Sequence, residues 1–430
     1  MRRVHPGGYQ PLDAAQMIHS HVVPALVYAF VEFEGRINRD RLVTAVEKVS
    51  VIIPETLYGI DVDRCDFRPV GIVAADIVEE ASSVPDHGLE LDPRDGPQVK
   101  ILIGHGLQGD TLIVTISHVL SDAAGLWQFI GLLSDFYNGK NPSVRNSRAL
   151  TWELVKQKVG GPTPAEAAGY NMTWGGIPLG GSSAGPKVRV RSCIPADSMS
   201  ALHARTKRCG VTLNDVFVTA YARVAARLQG VDTVHISCPV DLRRLADLGE
   251  LTVANMTGRL QITVTFSAED SFSTTLDQVH AEVAELRSRN RAIMGLRRLP
   301  EMWTWMPIRV VKFLIGQSYR LNSISYSNVG VLDESRVQFD QCSPKAAHIS
   351  GAYVDTGGIF MMISTFKGAT TFVAAFLADE QRAHDAQDII TMVTAECESW
   401  LLEPAEIPCP GCGAPRTTAH RDVRKTGAHR

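Results

Sequence analysis

An apolar run, Thr111 to Ile116 (T-L-I-V-T-I), leads into Ser117 and His118, and Asp122 follows four positions after the histidine. Imidazole has an ordinary pKa of about 6.5, so it is the side chain best suited to take a proton near neutrality. A carboxylate at this spacing has two uses. It orients the ring, or it holds the loop by pairing with a distant base, and spacing leaves both open. The plain alternative is a histidine at a strand end with an aspartate capping the next helix. The strand tips the balance toward chemistry, because it is apolar on both faces and places His118 at the mouth of a core.

Three other patterns suggest chemistry and lack the context for it. Gly104 to Gly109 spells G-x-G-x-x-G after a strand, but a dinucleotide site needs a helix next, and Asp110 opens another β run. This stretch reads as a hairpin turn. Gly181 to Gly185 spells G-x-S-x-G without the strand-to-helix turn of a nucleophile elbow. Cys409 and Cys412 are half of a zinc site with no second tight pair, and the reading is a frayed tail with no metal.

The elements that must position His118 follow from periodicity. Strands are expected at Val22–Phe33, Pro97–Ile103 and Thr111–Ile116, with helices over Arg39–Ser50 and Leu126–Phe136. From Gly160 to Lys187 the chain is rich in glycine and proline and has no sustained period, as in a linker or crossing loop. The second half opens with a strand at Val188–Ile194. A helix follows over Thr212–Leu228, with Thr212 as its N-cap and Asp215 in its first turn. Strands at Val234–Pro239, Arg259–Phe266, Ser323–Ser327, Gly358–Thr365 and Thr370–Leu377 alternate with helices at Ser273–Arg289 and Glu380–Leu402. The class is therefore α/β or α+β. The expected division is an N-terminal lobe at 1–160, the linker at 161–187, a C-terminal lobe at 188–404 and a basic, disordered tail at 405–430.

Composition narrows the function classes. A formal net charge of -3 leaves no whole-chain footprint for nucleic acid or an anionic membrane. No run approaches the roughly 18 apolar residues of a membrane span. Six of the eight cysteines are scattered singly, many in apolar strings, as expected of reduced thiols in a cytoplasmic protein.

Ser117-His118-Val119-Leu120-Ser121-Asp122-Ala123-Ala124-Gly125 resembles the H-H-x-x-x-D-G motif of condensation domains and their relatives, the alcohol acetyltransferases, wax-ester synthases and chloramphenicol-acetyltransferase-like enzymes. Further segments resemble the family's landmarks in order: Pro11 to Gln16, Asp92 to Ile103, Val211 to Ala220, Ile236 to Arg244 (I-S-C-P-V-D-L-R-R), Asn255 to Gly258 (N-M-T-G) and Tyr326 to Gly330 (Y-S-N-V-G). The resemblance covers about residues 10 to 400. Ser117 stands where the motif has its first histidine, and Ala123 where it has glycine.

The resemblance implies two chloramphenicol-acetyltransferase-like lobes forming a pseudo-dimer with a channel between them. It implies acyl transfer from a thioester to an alcohol or amine, in the manner of secondary-metabolism enzymes. His118 matches the catalytic histidine. Asp122 matches a mainly structural aspartate that pairs with an arginine of the second lobe, Arg243 or, failing that, Arg244. Ser325, Ser327 and Asn328 are oxyanion or channel candidates. No cofactor is expected to stay bound. The co-substrate is acyl-coenzyme A or a phosphopantetheinyl thioester on a separate carrier protein. A rival from another class is a condensation-like protein that has lost chemistry and kept partner docking.

Overall fold

The computed structural model describes residues 11–20, 25–64, 66–146, 148, 177–246, 251–265, 267, 269–288, 309–311, 313–314, 326–340, 342–353 and 358–404. Elements are labelled here in chain order among these residues. A short helix α1 (Pro11–Ser20) precedes β1 (Leu26–Glu34) and α2 (Arg39–Ile52). Short strands β2 (Tyr58–Asp61), β3 (Asp66–Pro69) and β4 (Val78–Ala81) lead to the hairpin β5 (Val99–His105) and β6 (Asp110–Ser117), then α3 (Ala123–Tyr137). The second half contains β7 (Lys187–Ile194), α4 (Ala196–Cys209), α5 (Leu213–Gln229), β8 (Thr233–Asp241), a single helical turn α6 (Arg243–Ala246), β9 (Thr257–Thr265) and α7 (Phe272–Ser288). It closes with β10 (Tyr326–Val331), β11 (Ser343–Ser350), β12 (Met361–Phe366), β13 (Ala369–Leu377) and α8 (Glu380–Ser399).

The hydrophobic cores define two lobes. In the first, the sheet order is β11-β1-β6-β5-β4. Odd-numbered β1 residues Val27, Ala29, Val31 and Phe33 pack with Leu42, Val46 and Val49 of α2 and with Leu126, Phe129 and Leu133 of α3. Even-numbered Leu26, Tyr28 and Phe30 face the other way, into a smaller cluster with Leu102, Ile113, Tyr353 and Ala375. Period two thus gives β1 two buried faces, which explains its continuous apolar run. In the second lobe the sheet order is β10-β12-β13-β7, with β8 and β9 as a separate pair. Its core gathers Val216, Phe217, Ala220 and Val224 of α5 with Phe372, Ala374 and Phe376 of β13 and Ile389, Ile390 and Val393 of α8.

Thr212 caps α5 by accepting from the Asp215 amide, and the Asp215 carboxylate accepts from the Thr212 amide in return. This reciprocal pair satisfies two backbone donors that a helix start otherwise leaves open. The G-x-G-x-x-G stretch is a hairpin turn: the Gly106 amide donates to the Gly109 carbonyl, and β5 pairs antiparallel with β6.

Several elements depart from the periodicity reading. β11 pairs antiparallel with β1 and is the edge strand of the first sheet, although it falls within the 188–404 stretch of the chain. Its sequence, S-P-K-A-A-H-I-S, has little of the β-branched and aromatic character of a strand. Helix α4 buries only Met199, Leu202, Arg205 and Thr206, too sparse a stripe to register as a period. Cys193 and Cys209 are exposed, whereas Cys238, Cys342 and Cys397 are buried. No helix among the described residues is long and apolar enough to cross a membrane. Residues 405–430, and with them Cys409 and Cys412, lie outside the described residues, as do 161–176 of the linker and Ser323 to Ser325.

Candidate functional site

His118 follows the last residue of β6. Its amide donates to the Ala25 carbonyl just before β1, so the sheet's central pairing sets where it stands. Ser117 is fully buried, and its hydroxyl accepts from the Val119 amide while its carbonyl accepts from the Leu120 and Ser121 amides. The residue in place of the motif's first histidine therefore closes the turn that presents His118. The His118 ring is only partly exposed, and its surroundings are apolar enough that burial lowers its pKa below the ordinary value. The charge of Asp122 opposes that shift, and so does the ring's hydrogen bond to its own backbone.

Asn255 lies against the histidine. Its Nδ2 donates to the His118 carbonyl at 3.3 Å and is 3.3 Å from the ring Nδ1. The carboxamide is almost completely buried, which fixes it for this contact.

Asp122 makes no direct bond to His118 among the contacts of its carboxylate. It caps α3 by accepting from the Gly125 amide at 2.9 Å. It also accepts from the Met256 amide at 2.7 Å and the Thr257 hydroxyl at 3.1 Å. Both oxygens meet the Arg243 guanidinium, each at 2.9 Å, in a forked pair. Burial would raise this carboxyl's pKa, but Arg243 overcomes that and holds it below the usual carboxylate range. Arg243 is itself buried and spends its remaining donors on the Thr252 and Ala254 carbonyls and on Asp241. Of the two adjacent arginines, Arg243 reaches Asp122, and Arg244 is exposed beside Gly330.

A second buried arginine braces the same loop. Arg148 donates to the Val119 carbonyl at 2.9 Å, the Leu120 carbonyl at 2.6 Å and the Val253 carbonyl at 3.1 Å. It pairs with Asp13 of α1 at 2.9 Å. Neither Arg148, Asp13 nor Asn255 stood out in the sequence as a site residue. Asn255 and Asp13 left a trace only as members of N-M-T-G and of the Pro11 to Gln16 segment.

Gly125 explains how the loop tolerates Ala123. A Cβ on Gly125 would sit 2.0 Å from Ser121 Oγ and 3.0 Å from the Arg243 guanidinium. Ala123 is merely the first residue of α3. The position that requires glycine is therefore two residues further on. Gly125→Ala is expected to destabilise the protein by about 1–3 kcal/mol through overpacking, whereas Ala123→Gly, at the first position of the helix, costs less than the roughly 0.5–1 kcal/mol of a helix interior. Urea unfolding of the two variants checks the order, and an unaffected Gly125→Ala would refute the packing argument.

The remaining candidates do not all converge. Asn328 donates to Asn214 at the start of α5, and its own carbonyl oxygen accepts from the Gly330 amide. Ser327 is half-buried on β10, and Ser325 lies outside the described residues. Among the described residues no cluster of histidine, cysteine or carboxylate groups could hold a metal ion.

This architecture recurs in solved structures of low sequence identity. The first condensation domain of the calcium-dependent antibiotic synthetase, solved with a substrate analogue, superposes with a TM-score of 0.64 at 12% identity, over 93% of this chain and 97% of that one. The chain has the condensation-domain fold. Polyketide synthase associated protein 5 from Mycobacterium tuberculosis gives a TM-score of 0.64 at 12% identity, covering 91% and 96% of the two chains. SgcC5 from Streptomyces globisporus, solved with a naphthyl ethanediol and sucrose, gives 0.62 at 15% identity, covering 92% and 99%. No family model and no curated protein matches the sequence. In condensation-domain terms, His118 ends the central strand of the first lobe, and the Asp122–Arg243 pair ties that strand's loop to the segment between β8 and β9.

Proposed function

We propose that the protein transfers an acyl group from a thioester to an alcohol or amine, with His118 as general base. The observation that carries this reading is a partly accessible imidazole, kept neutral by burial, on a loop that two buried arginines immobilise. A hydroxyl or amine is a weak nucleophile until its proton leaves. In this reading the ring's Nδ1–H is donated to its own carbonyl, and Asn255 braces that same carbonyl. Nε2 then carries the lone pair. As the acceptor's oxygen or nitrogen bonds to the thioester carbon, its proton passes to Nε2. When the C–S bond breaks, the imidazolium returns that proton to the leaving thiolate. No covalent acyl-enzyme is required.

The donor is a coenzyme A thioester or an acyl group on a separate carrier protein. Support for small-molecule substrates at this fold comes from SgcC5, solved with a small diol, and from the synthetase condensation domain, solved with a substrate analogue. Incubating the purified protein with a panel of acyl thioesters and small alcohols or amines, then detecting ester or amide products by mass, tests the reading. Thioester consumption by water alone, with no acceptor-dependent product, would overturn it.

Titration of His118 provides a check that needs no substrate. Burial lowers its pKa and the Asp122 charge raises it. Its NMR titration, assigned with His118→Ala, is expected below pH 6.5, the ordinary value for histidine. Asp122→Asn removes the raising influence and should move the midpoint lower still. The acid limb of turnover should follow the same midpoint, since only the neutral ring accepts a proton. Stability runs in the same direction. Below the unfolded-state pKa the unfolded chain takes up a proton that folded His118 refuses, so this group's linkage costs stability as pH falls from about 6.5 toward the folded pKa.

A further inference from the structure

β7 carries Lys187, Arg189 and Arg191 at alternate positions, so the three point to one face of the edge strand of the second sheet. The outer two find acids: Lys187 bonds Glu90, and Arg191 lies 3.9 Å from Glu32. The middle one does not. Arg189 reaches into the junction between the two sheets, where its guanidinium carbon sits 3.7 Å from the centre of the Phe30 ring. Phe30 in turn stacks on His348 of β11, with ring centres 5.0 Å apart and planes tilted by 7°.

Among the described residues no carboxylate forms an ion pair with Arg189, and its Nη1 is buried without a hydrogen-bond partner. His348 is 5% exposed, and its Nε2 is likewise buried and unpartnered. The negative charges that act on Arg189 from a distance are Asp86, which is exposed, and Glu32, which already faces Arg191. Stacking on Phe30 offsets part of the guanidinium's charge at its face. It does nothing for the N–H groups at its edge, and buried donors of this kind are seldom left open. Burial and the two neighbouring arginines hold His348 neutral, with a pKa of about 3. The cluster therefore carries net positive charge and two unsatisfied nitrogens at the junction of the two sheets.

We propose that Arg189 and His348 form an anion-binding subsite at the junction of the sheets, which takes a carboxylate or phosphate group of a substrate. Phe30 lies four residues along β1 from Leu26, whose register partner is Ser117. At about 3.3 Å per residue, the subsite is roughly 13 Å from the strand end that presents His118. The anion then anchors a substrate whose reacting group lies that far from its charge. An acceptor's carboxylate and a donor's phosphate share the required chemistry. Assigning the anion to a substrate rests on the acyl-transfer reading. The binding itself is measured without turnover, so the two ideas fail separately.

The test is thermal unfolding of the full chain in sodium acetate and in sodium phosphate, each against sodium chloride of equal ionic strength. At least one of the two anions is expected to raise the parent's Tm by about 2–4 °C over chloride at saturation. Arg189→Met, which keeps the volume and removes the charge, is expected to abolish that rise, and His348→Gln to weaken it. A response to acetate alone identifies a carboxylate, and a response to phosphate alone identifies a phosphate. No rise with either anion, or an equal rise in Arg189→Met, overturns the proposal. If Arg189→Met does not fold, His348→Gln decides: an anion response equal to the parent's overturns it, and a weakened response supports it.

Discussion

His118→Ala is expected to lower kcat for acyl transfer by about 10²–10⁴-fold, the usual contribution of a single positioned base. The fold should survive. The ring is partly exposed, its only side-chain neighbour within hydrogen-bonding distance among the described residues is Asn255 at 3.3 Å, and the turn that presents it is held by Ser117, Arg148 and main-chain bonds. KM for the donor should change little, because the base acts on the acceptor's proton during bond formation rather than on thioester binding. The measurement is turnover with the thioester and acceptor identified by the product screen, alongside a melting curve. A variant that turns over like the parent would remove His118 from the mechanism. A variant that fails to fold would show that the histidine is a structural strand end, the plain alternative for this stretch.

Asp122→Ala should have the largest effect on stability, about 3–5 kcal/mol, because it strands a buried arginine. Arg243 is 4% exposed and would keep its bonds to Thr252, Ala254 and Asp241, but its forked partner would be gone. The same change removes the cap of α3 and the acceptor for the Met256 amide. A combined Asp122→Ala and Arg243→Met variant should recover part of the loss, since the stranded charge then leaves as well. Acid should act in the same direction as the mutation. The folded carboxyl titrates below its usual range, so its contribution is present above about pH 3.9, the ordinary value, and is lost as pH falls through the folded pKa. Urea melts at neutral pH would decide the matter. If Asp122→Ala melts like the parent yet is inactive, the aspartate orients the ring and is not the staple between the two halves.

Much of this was legible in the chain itself, and the reason is local. β6 announces itself as an unbroken apolar run because its two faces are buried in different clusters, and α3 by a helical apolar period set by burial against one core. The start of α5 is readable from Thr212 and Asp215, since a capping box is satisfied within four residues. His118 and Asp122 are visible for the same reason, sitting where an apolar run stops and a helix starts.

What the tertiary structure decided is everything that depends on partners far away in sequence. The resemblance put Arg243 ahead of its neighbour Arg244 as the partner, and only the fold shows which guanidinium points at Asp122. Asn255 and Arg148 carry no local pattern, because the groups they bind, the carbonyls of His118, Val119 and Leu120, belong to another segment. β11 shows the same limit at the level of an element. Its own residues argue weakly for a strand, and it becomes one because β1 offers an open row of backbone donors and acceptors; nearby, Cys342 Sγ reaches the Arg36 carbonyl across 306 positions. Local sequence therefore determined the strand end, the helix cap and the candidate base. Long-range pairing, which burial rewards only once the lobes have closed, decided how that base is held.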